Sequence, residues 1–369
     1  MGTVTDPETL VTVLRAAGRA GVATCIWGDP GVGKTSIVCA VAAAESMECE
    51  VVIGALHQPD DFAGLPVVTD EVRWEPHAWA KRLHAAGRGI LFLDELSSAT
   101  QAVQTAMLRI VFERQIGDLV LPNDVWIIAA ANPPEKAVDG AELPPPLANR
   151  LLHIDYAPRA DHWLDGMTAG FAAPASGLVY EPDPARRAVS RSQVAAFIRT
   201  RPGLLQSYPA DASTAGRAWP SRRTWTMAAD ILALLPPDAS DAVTAVVAGL
   251  VGDGAAQEFL AWLRAADLPD PAAVVADPSI VEWRSLDPSR TWAVLSGVVG
   301  HCTAGGGVES WRAAWGVLGA AAEGGRADVA AACARSLLTR RPAKASVPAV
   351  ARKFTASLAA AGLLPGEAA

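Results

Sequence analysis

Residues 28 to 36 combine glycines, a lysine and hydroxyl side chains at a spacing that suits phosphate chemistry. The stretch reads Gly28-Asp29-Pro30-Gly31-Val32-Gly33-Lys34-Thr35-Ser36, and its first eight residues fit the pattern GxxxxGK[ST] in full. The glycines let the backbone turn so that successive N–H groups face one centre, and a helix beginning at Lys34 aims its positive end there. In such a loop the lysine reaches the β- and γ-phosphates of a nucleotide, and the Thr35 hydroxyl binds Mg²⁺. The sequence therefore predicts ATP and Mg²⁺ as ligands of these residues.

Two acidic residues follow a fully apolar stretch about sixty residues later. Residues 90–93 are Ile-Leu-Phe-Leu, and Asp94 and Glu95 come directly after them. A buried parallel strand would place both acids at its carboxyl end, where such sheets bind ligands. Asp94 is then the candidate for holding Mg²⁺, and Glu95 is the candidate base for the attacking water. The competing interpretation is a strand that ends in a solvated acidic turn.

Short apolar runs alternate with helical periodicity over the first part of the chain. The predicted strands are 22–27, 49–55, 90–93, 125–131 and 151–156, and the predicted helices are 35–47, 74–86 and 99–114. Strands that alternate with helices predict a parallel sheet in an α/β fold. Trp74 and Trp79 are expected on one helix, mostly as packing residues, and Trp27 is a candidate nucleotide contact.

Helical patterns dominate the rest of the sequence. The predicted helices are 192–201, 223–235, 241–251 and 255–265, with more helix after 279, glycine breaks at 305–307 and a frayed end at 365–369. Stretches rich in proline separate these parts at 172–184 and 268–278. We therefore predict a nucleotide-binding core (1–157), a linker (158–190), a helical lid (191–267) and a helical C-terminal extension (268–369).

Composition excludes several classes of protein. The chain has 369 residues, 51% of them hydrophobic, and a formal net charge of −8, which argues against general nucleic-acid binding. The N-terminal residues include no apolar region that would predict a secretory signal. No apolar run of ~18 residues predicts a membrane span. Five scattered cysteines indicate reduced, mostly buried thiols, and the histidines lack zinc-ligand spacing. We expect a cytoplasmic protein without membrane contact.

Further segments resemble, in order, the MoxR-like branch of the AAA+ ATPases. Asp94-Glu95 is similar to the Walker B motif of that superfamily. The other matching segments are 57–66 (start of the helix-2 insertion), 113–122 (pre-sensor-1 hairpin), 129–133 (sensor 1), 143–150 (arginine finger) and 219–225 (sensor 2). The resemblance covers about residues 5–265. It implies an AAA+ core with a parallel five-stranded sheet, followed by an all-α lid.

The resemblance also implies roles for single residues. Asn132 would bond the attacking water or the γ-phosphate, although an Asn-Pro strand cap explains it equally well from local sequence. Arg150 would stabilise transition-state charge in a neighbouring subunit, whereas the alternative is a surface arginine on a short helix. Arg223 is preferred as sensor 2 by its register, and Arg222 and Arg217 stay open.

For function, the resemblance implies an ATP-hydrolysing remodeller that forms a homo-oligomeric, usually hexameric, ring. Such proteins act like chaperones on a client or on a partner with a von Willebrand A domain. An ATP-switched scaffold with slow hydrolysis is the alternative from another class, and the pair of acids at 94 and 95 disfavours it. A nucleic-acid motor is disfavoured by the net charge.

Overall fold

The computed structural model describes residues 3–68, 70–136, 142–171, 179–236, 238–305, 307–360 and 362–363. The predicted features at 172–178, at 306 and at 365–369 therefore lie outside the described residues. The strands of the described part are β1 (Thr24–Trp27), β2 (Glu48–Ile53), β3 (Leu65–Val68), β4 (Val72–Glu75), β5 (Arg88–Asp94), β6 (Gln115–Ile116), β7 (Leu119–Val120), β8 (Asp124–Ala131) and β9 (Leu152–Asp155). Its α-helices are α1 (Pro7–Arg19), α2 (Lys34–Ala44), α3 (Pro59–Ala63), α4 (Ala78–Ala86), α5 (Gln101–Glu113), α6 (Pro145–Ala148), α7 (Ala160–Ala169), α8 (Pro184–Thr200), α9 (Ala212–Ala215), α10 (Arg222–Leu232), α11 (Ser240–Val251), α12 (Asp253–Ala266), α13 (Pro271–Ala276), α14 (Pro288–Ala304), α15 (Val308–Ala321), α16 (Ala327–Thr339) and α17 (Thr355–Ala360).

Five strands form one parallel sheet in the order β2-β5-β8-β1-β9. Residues 90–93 of β5 are fully buried, and β1 and nearly all of β8 are buried as well. Continuous apolar runs of this kind suit a parallel sheet that is covered on both faces. The predicted five-stranded α/β core and the helices that follow it are confirmed. Because β8 lies between β1 and β5, the carboxyl ends of these three strands share one edge.

The helices α1 and α2 at the start of the chain are explained by capping and apolar residues in their own sequence. The Asp6 carboxylate accepts a hydrogen bond of 2.9 Å from the Thr9 amide and so caps α1, which begins with Pro7. Apolar residues of α1 recur on one face and are buried, including Leu10 and Leu14. Helix α2 starts directly after the glycine loop. Val38 and Val41 lie on its inner face and are buried.

Two antiparallel hairpins project from the core, and one of them corrects a prediction. The predicted helix 74–86 is wrong at its start, because Trp74 belongs to β4, which pairs with β3. Pro76 keeps the preceding residue extended, and the helix α4 begins only at Ala78. Trp74 is also held by Asp118 of the β6–β7 hairpin, whose carboxylate accepts from the Trp74 amide at 2.8 Å. Trp74 is therefore half exposed on a strand, whereas Trp79 is buried on α4.

Backbone contacts divide the chain into two compact units. Unit 1 comprises 1–181 and 204–257, and unit 2 comprises 182–203 and 258–369. The segment predicted as a lid, 191–267, is thus divided between unit 1 and unit 2. Unit 2 takes in α8 because Gly300 of α14 meets this helix at Ala188, where an added Cβ would lie 2.7 Å from the alanine Cβ. Its own core contains Trp311, Trp315 and Phe354.

Helix α8 begins at Pro184, eight residues earlier than predicted. Asp183 caps it by accepting from the Ala185 amide at 2.9 Å, and proline occupies its first turn. These two signals fall in the segment that composition marked as a linker. No α-helix within the described ranges has both the length and the apolar character needed to cross a bilayer.

Candidate functional site

The glycine loop joins the buried strand β1 to the helix α2 at the carboxyl edge of the sheet. Gly31 and Gly33 have φ values of 81° and 91°, which lie in the left-handed region that side chains with a Cβ disfavour. Gly28 is required for another reason, since a Cβ there would lie 2.6 Å from the Tyr156 carbonyl oxygen. Gly33 is the N-cap of α2, so the first amides of that helix face the loop.

The Lys34 side chain turns back into this loop. Its ammonium donates to the carbonyl oxygens of Gly28 and Asp29 at 2.6 and 3.1 Å and to Oδ1 of Asn132 at 2.9 Å. Burial lowers the pKa of Lys34, while nearby carboxylates, Asp94 first among them, oppose that shift. The loop therefore holds a partly desolvated cation at its centre, which favours the binding of an anion.

Thr35 and Asp94 join the loop to the acidic strand end. The threonine hydroxyl donates to Oδ2 of Asp94 at 2.8 Å, and Oδ1 of Asp94 accepts from the Glu95 amide at 2.9 Å. Glu95 is exposed and adopts a left-handed conformation with φ 54°. This conformation is uncommon for residues other than glycine, and here it occurs directly after the carboxyl end of β5. A hydroxyl and a carboxylate oxygen at hydrogen-bond distance are the hard donors that Mg²⁺ takes in proteins.

Asn132 lies at the end of β8, between these groups. Its side chain accepts from Lys34, and its amide donates to Oγ of Ser97 at 3.0 Å. Ser97 is fully buried in the turn after Glu95, and sequence analysis did not identify it. The structure thus brings together Lys34, Thr35, Asp94 and Asn132, as the motif order predicted.

Arg150 and Arg223 form a second group, separate from the loop. The Arg150 guanidinium stacks on Phe112 with 4.4 Å from Cζ to the ring centroid and donates to the Pro146 carbonyl at 2.6 Å. Burial lowers the pKa of Arg150, and the charge of Arg223 lowers it further. In the described part of the chain neither arginine has a carboxylate ion-pair partner, and neither hydrogen-bonds to the loop. Phe112 is 58% exposed, so this group borders on solvent.

A buried hydrogen bond fixes the position of this arginine pair. Ser221 donates from Oγ to Oδ1 of Asn149 at 2.8 Å, and Asn149 donates to the Trp219 carbonyl at 3.4 Å. Ser221 also caps α10 by accepting from the Thr224 amide. The residues before β9 and those that begin α10 are therefore fastened together. As a consequence, Arg150 and Arg223, which follow Asn149 and Ser221, come close to each other.

Arg217, the third sensor-2 alternative, lies elsewhere. Its guanidinium covers the Trp27 ring at 4.0 Å from the centroid and donates to Oδ1 of Asp155 at 2.7 Å. Trp27 is buried and donates from its indole to Nδ1 of His153 at 2.9 Å. Trp27 is thus a packing residue beneath the loop. Among Arg217, Arg222 and Arg223, it is Arg217 that lies beside β1, the strand that leads into the loop.

A cavity of about 870 Å³ opens next to the loop. One wall is the loop and α2, including Ser36, and the other is made by Tyr156 and α7 with His162 and Trp163. Sequence reasoning did not identify this second wall, because α7 fell in the predicted linker. No local motif in that segment could have indicated that it faces the loop.

Comparison with known proteins agrees with this arrangement. Residues 23–151 match the family described as AAA domain (dynein-related subfamily). The matched residues contain the phosphate loop, Asp94, Glu95, Asn132 and Arg150. That match ends after Arg150 and does not extend to α7 or to unit 2. The AAA match covers all the strands of the parallel sheet except β9.

Other comparisons are more distant. No curated protein matches the sequence. A solved structure described as a "putative ATPase" from Cytophaga hutchinsonii is similar over 71% of this chain and 90% of its own, with 16% identity and a TM-score of 0.45.

Proposed function

We propose that this protein binds ATP with Mg²⁺ and hydrolyses it. The observation that carries the proposal is the hydrogen bond between Thr35 and Asp94, because it brings the phosphate loop and the acidic strand end to one point. Lys34, beside the same point, supplies positive charge for the phosphates. The loop amides at the start of α2 contribute further positive potential.

Mg²⁺ would be held by Thr35 and Asp94, with phosphate oxygens and water completing its ligands. When bound, it would offset charge on the β- and γ-phosphates. Glu95 is exposed beside Asp94 and would take the proton of the attacking water. The side-chain amide of Asn132, whose oxygen accepts from Lys34, would position that water or the γ-phosphate, and the backbone N–H of Asn132 donates to Ser97. The cavity beside α7 has ample room for the base and ribose.

We further propose that the active form is a homo-oligomeric ring of the MoxR-like type. The order of the motif segments supports it, as do the two hairpins β3–β4 and β6–β7 at the positions of the expected insertions. The pair Arg150 and Arg223 would then serve the nucleotide of a neighbouring subunit, since it has no carboxylate ion-pair partner among the described residues and makes no hydrogen bond to its own loop. A client protein or a partner with a von Willebrand A domain would be the protein that the ring acts on.

The direct test of the nucleotide site is Lys34→Ala. We expect this variant to lose ATP binding in equilibrium titrations with a fluorescent ATP analogue, with the fold intact by circular dichroism. Lys81→Ala is a matched control, because it removes an exposed lysine whose partner, Glu75, lies outside the site. Tight ATP binding by Lys34→Ala would refute the assignment of the loop.

A further inference from the structure

The phosphate loop carries an acidic side chain of its own. Among residues 28–35 this acid is Asp29, the second residue of the loop. Its carboxylate is half exposed and adds negative charge to a site whose proposed ligand, ATP, is itself an anion. Like charges repel one another over several ångströms, so an uncompensated acid at this position would oppose the binding of phosphate.

The side chain of Lys136 provides a cation at this acid. Its ammonium donates to both carboxylate oxygens of Asp29, to Oδ1 at 2.8 Å and to Oδ2 at 2.6 Å. Distances of this size are typical of charge-assisted hydrogen bonds. The two residues are 107 positions apart in the sequence. Their ion pair therefore joins the loop after β1 to the segment that follows β8.

This segment is also the one that carries Asn132. Lys136 lies four residues after Asn132, in a short turn beyond the end of β8. The side chain of Asn132 accepts from Lys34, and the Lys34 ammonium also donates to the Asp29 carbonyl oxygen at 3.1 Å. Asp29 is thus held at two points, at its carbonyl by Lys34 and at its carboxylate by Lys136.

The charge of Asp29 acts on the centre of the loop. Burial lowers the pKa of Lys34, and the negative charges of Asp94 and Asp29 are among those that oppose this shift. A carboxylate close enough to do so also reduces the positive potential that Lys34 offers to a phosphate. A cation paired with Asp29 restores that potential.

We propose that Lys136 is a positioning residue for ATP, which offsets the charge of Asp29 and holds the phosphate loop in its binding conformation. The proposal rests on the proposed function, because it takes ATP as the ligand of the loop. Lys136 acts through Asp29 and not by contact with the nucleotide. Since bound ATP and the transition state both lie in the same loop, the ion pair should affect KM and leave kcat nearly unchanged.

The test is equilibrium titration of Lys136→Gln with a fluorescent ATP analogue. We expect about 10-fold weaker binding at low ionic strength, because one negative charge beside the phosphates is left uncompensated. Added salt should reduce this difference, since half-exposed charges are screened. In steady-state turnover, KM should rise by a similar factor. Lys81→Gln is the matched control, because Lys81 has the same side-chain exposure, 50%, and pairs with Glu75 outside the site.

A double variant decides whether Lys136 acts through Asp29. Asp29→Asn combined with Lys136→Gln removes both charges and should recover wild-type affinity to within about 3-fold, as should Lys136→Arg, which keeps the cation. Wild-type affinity in Lys136→Gln, or equally weak binding by Lys136→Gln and the double variant, would overturn the proposal. If the wild type bound no ATP, the proposed function would fail with it. ATP binding that is lost in Lys34→Ala but unchanged in Lys136→Gln would refute the role of Lys136 alone.

Discussion

Thr35 donates a hydrogen bond of 2.8 Å to Asp94, across 59 residues of sequence. The bond joins the first turn of the helix after the glycine loop to the carboxyl end of β5, although β8 lies between β5 and β1, the strand that leads into the loop. Chemistry at this edge therefore depends on the sheet order, which brings groups from three strands to one place.

Removing the Thr35 hydroxyl should weaken the use of Mg²⁺. We expect Thr35→Val to reduce ATP turnover at least ~10-fold, because one oxygen donor is lost and Asp94 loses its hydrogen bond. Steady-state phosphate release as a function of Mg²⁺ concentration measures the effect. Thr35→Ser retains the hydroxyl and should stay near the wild-type rate. Equal rates for Thr35→Val and the wild type would remove Thr35 from the metal site.

Arg150 should act on the nucleotide of another subunit. Arg150→Ala and Glu95→Gln subunits should each be inactive alone and should recover activity when mixed, because a mixed pair contains one complete site. The measurement is ATP turnover against mixing ratio, with assembly followed by light scattering. No recovery at any ratio, with assembly intact, would assign Arg150 a structural role or one in its own subunit.

Arg223 and Arg217 should behave differently in the same mixing assay. Because Arg223 is close enough to Arg150 to lower its pKa, Arg223→Ala should also be rescued by Glu95→Gln subunits. Arg217 pairs with Asp155 beside the loop of its own chain, so Arg217→Ala should not be rescued. Arg222→Ala, an exposed neighbour on α10, is the control and should retain activity. If Glu95→Gln subunits rescued Arg217→Ala but not Arg223→Ala, Arg217 rather than Arg223 would be the residue that acts on a neighbouring subunit.

His153 should make the stability of unit 1 depend on pH. Burial lowers its pKa from 6.5 to about 4, and the carbonyl of Ala148, which accepts from Nε2, only partly opposes this. The folded state then binds fewer protons than the unfolded state between these values, so stability should fall as pH drops from 6.5 toward 4. The loss is at most about 3 kcal/mol.

Urea unfolding of the wild type and His153→Gln between pH 7.5 and 5 checks this expectation. Glutamine can accept from Trp27 and donate to Ala148 without titrating. The variant should lose part of the pH dependence, whatever its stability at pH 7.5. The same slope of unfolding free energy against pH in both proteins would show that His153 is not responsible.

Sequence was most informative where the signal was local. The loop at 28–35 and the apolar run before Asp94 each carry their pattern in consecutive residues, and their strands were predicted within a few residues. Trp74 shows the limit, because its spacing from Trp79 favoured a helix. Its strand depends on pairing with β3 and on Asp118, which is distant in sequence.

Contacts between distant segments account for the rest. The proximity of Arg150 and Arg223 results from the buried bond between Asn149 and Ser221, 72 residues apart. The choice between Arg223 and Arg217 could not be made from spacing alone, since both lie near the same motif. The association of α8 with α14 likewise depends on the fit of Gly300 against Ala188, which no local pattern indicates.

The most direct measurement of the central claim is ATP turnover by Glu95→Gln under conditions where its ATP binding is measured in parallel. The substitution keeps the size of the side chain and its exposed position after Asp94 but removes the base. We expect ATP binding like that of the wild type and phosphate release at least ~100-fold slower, given the usual contribution of a positioned base. Turnover equal to the wild type would show that Glu95 is not the base.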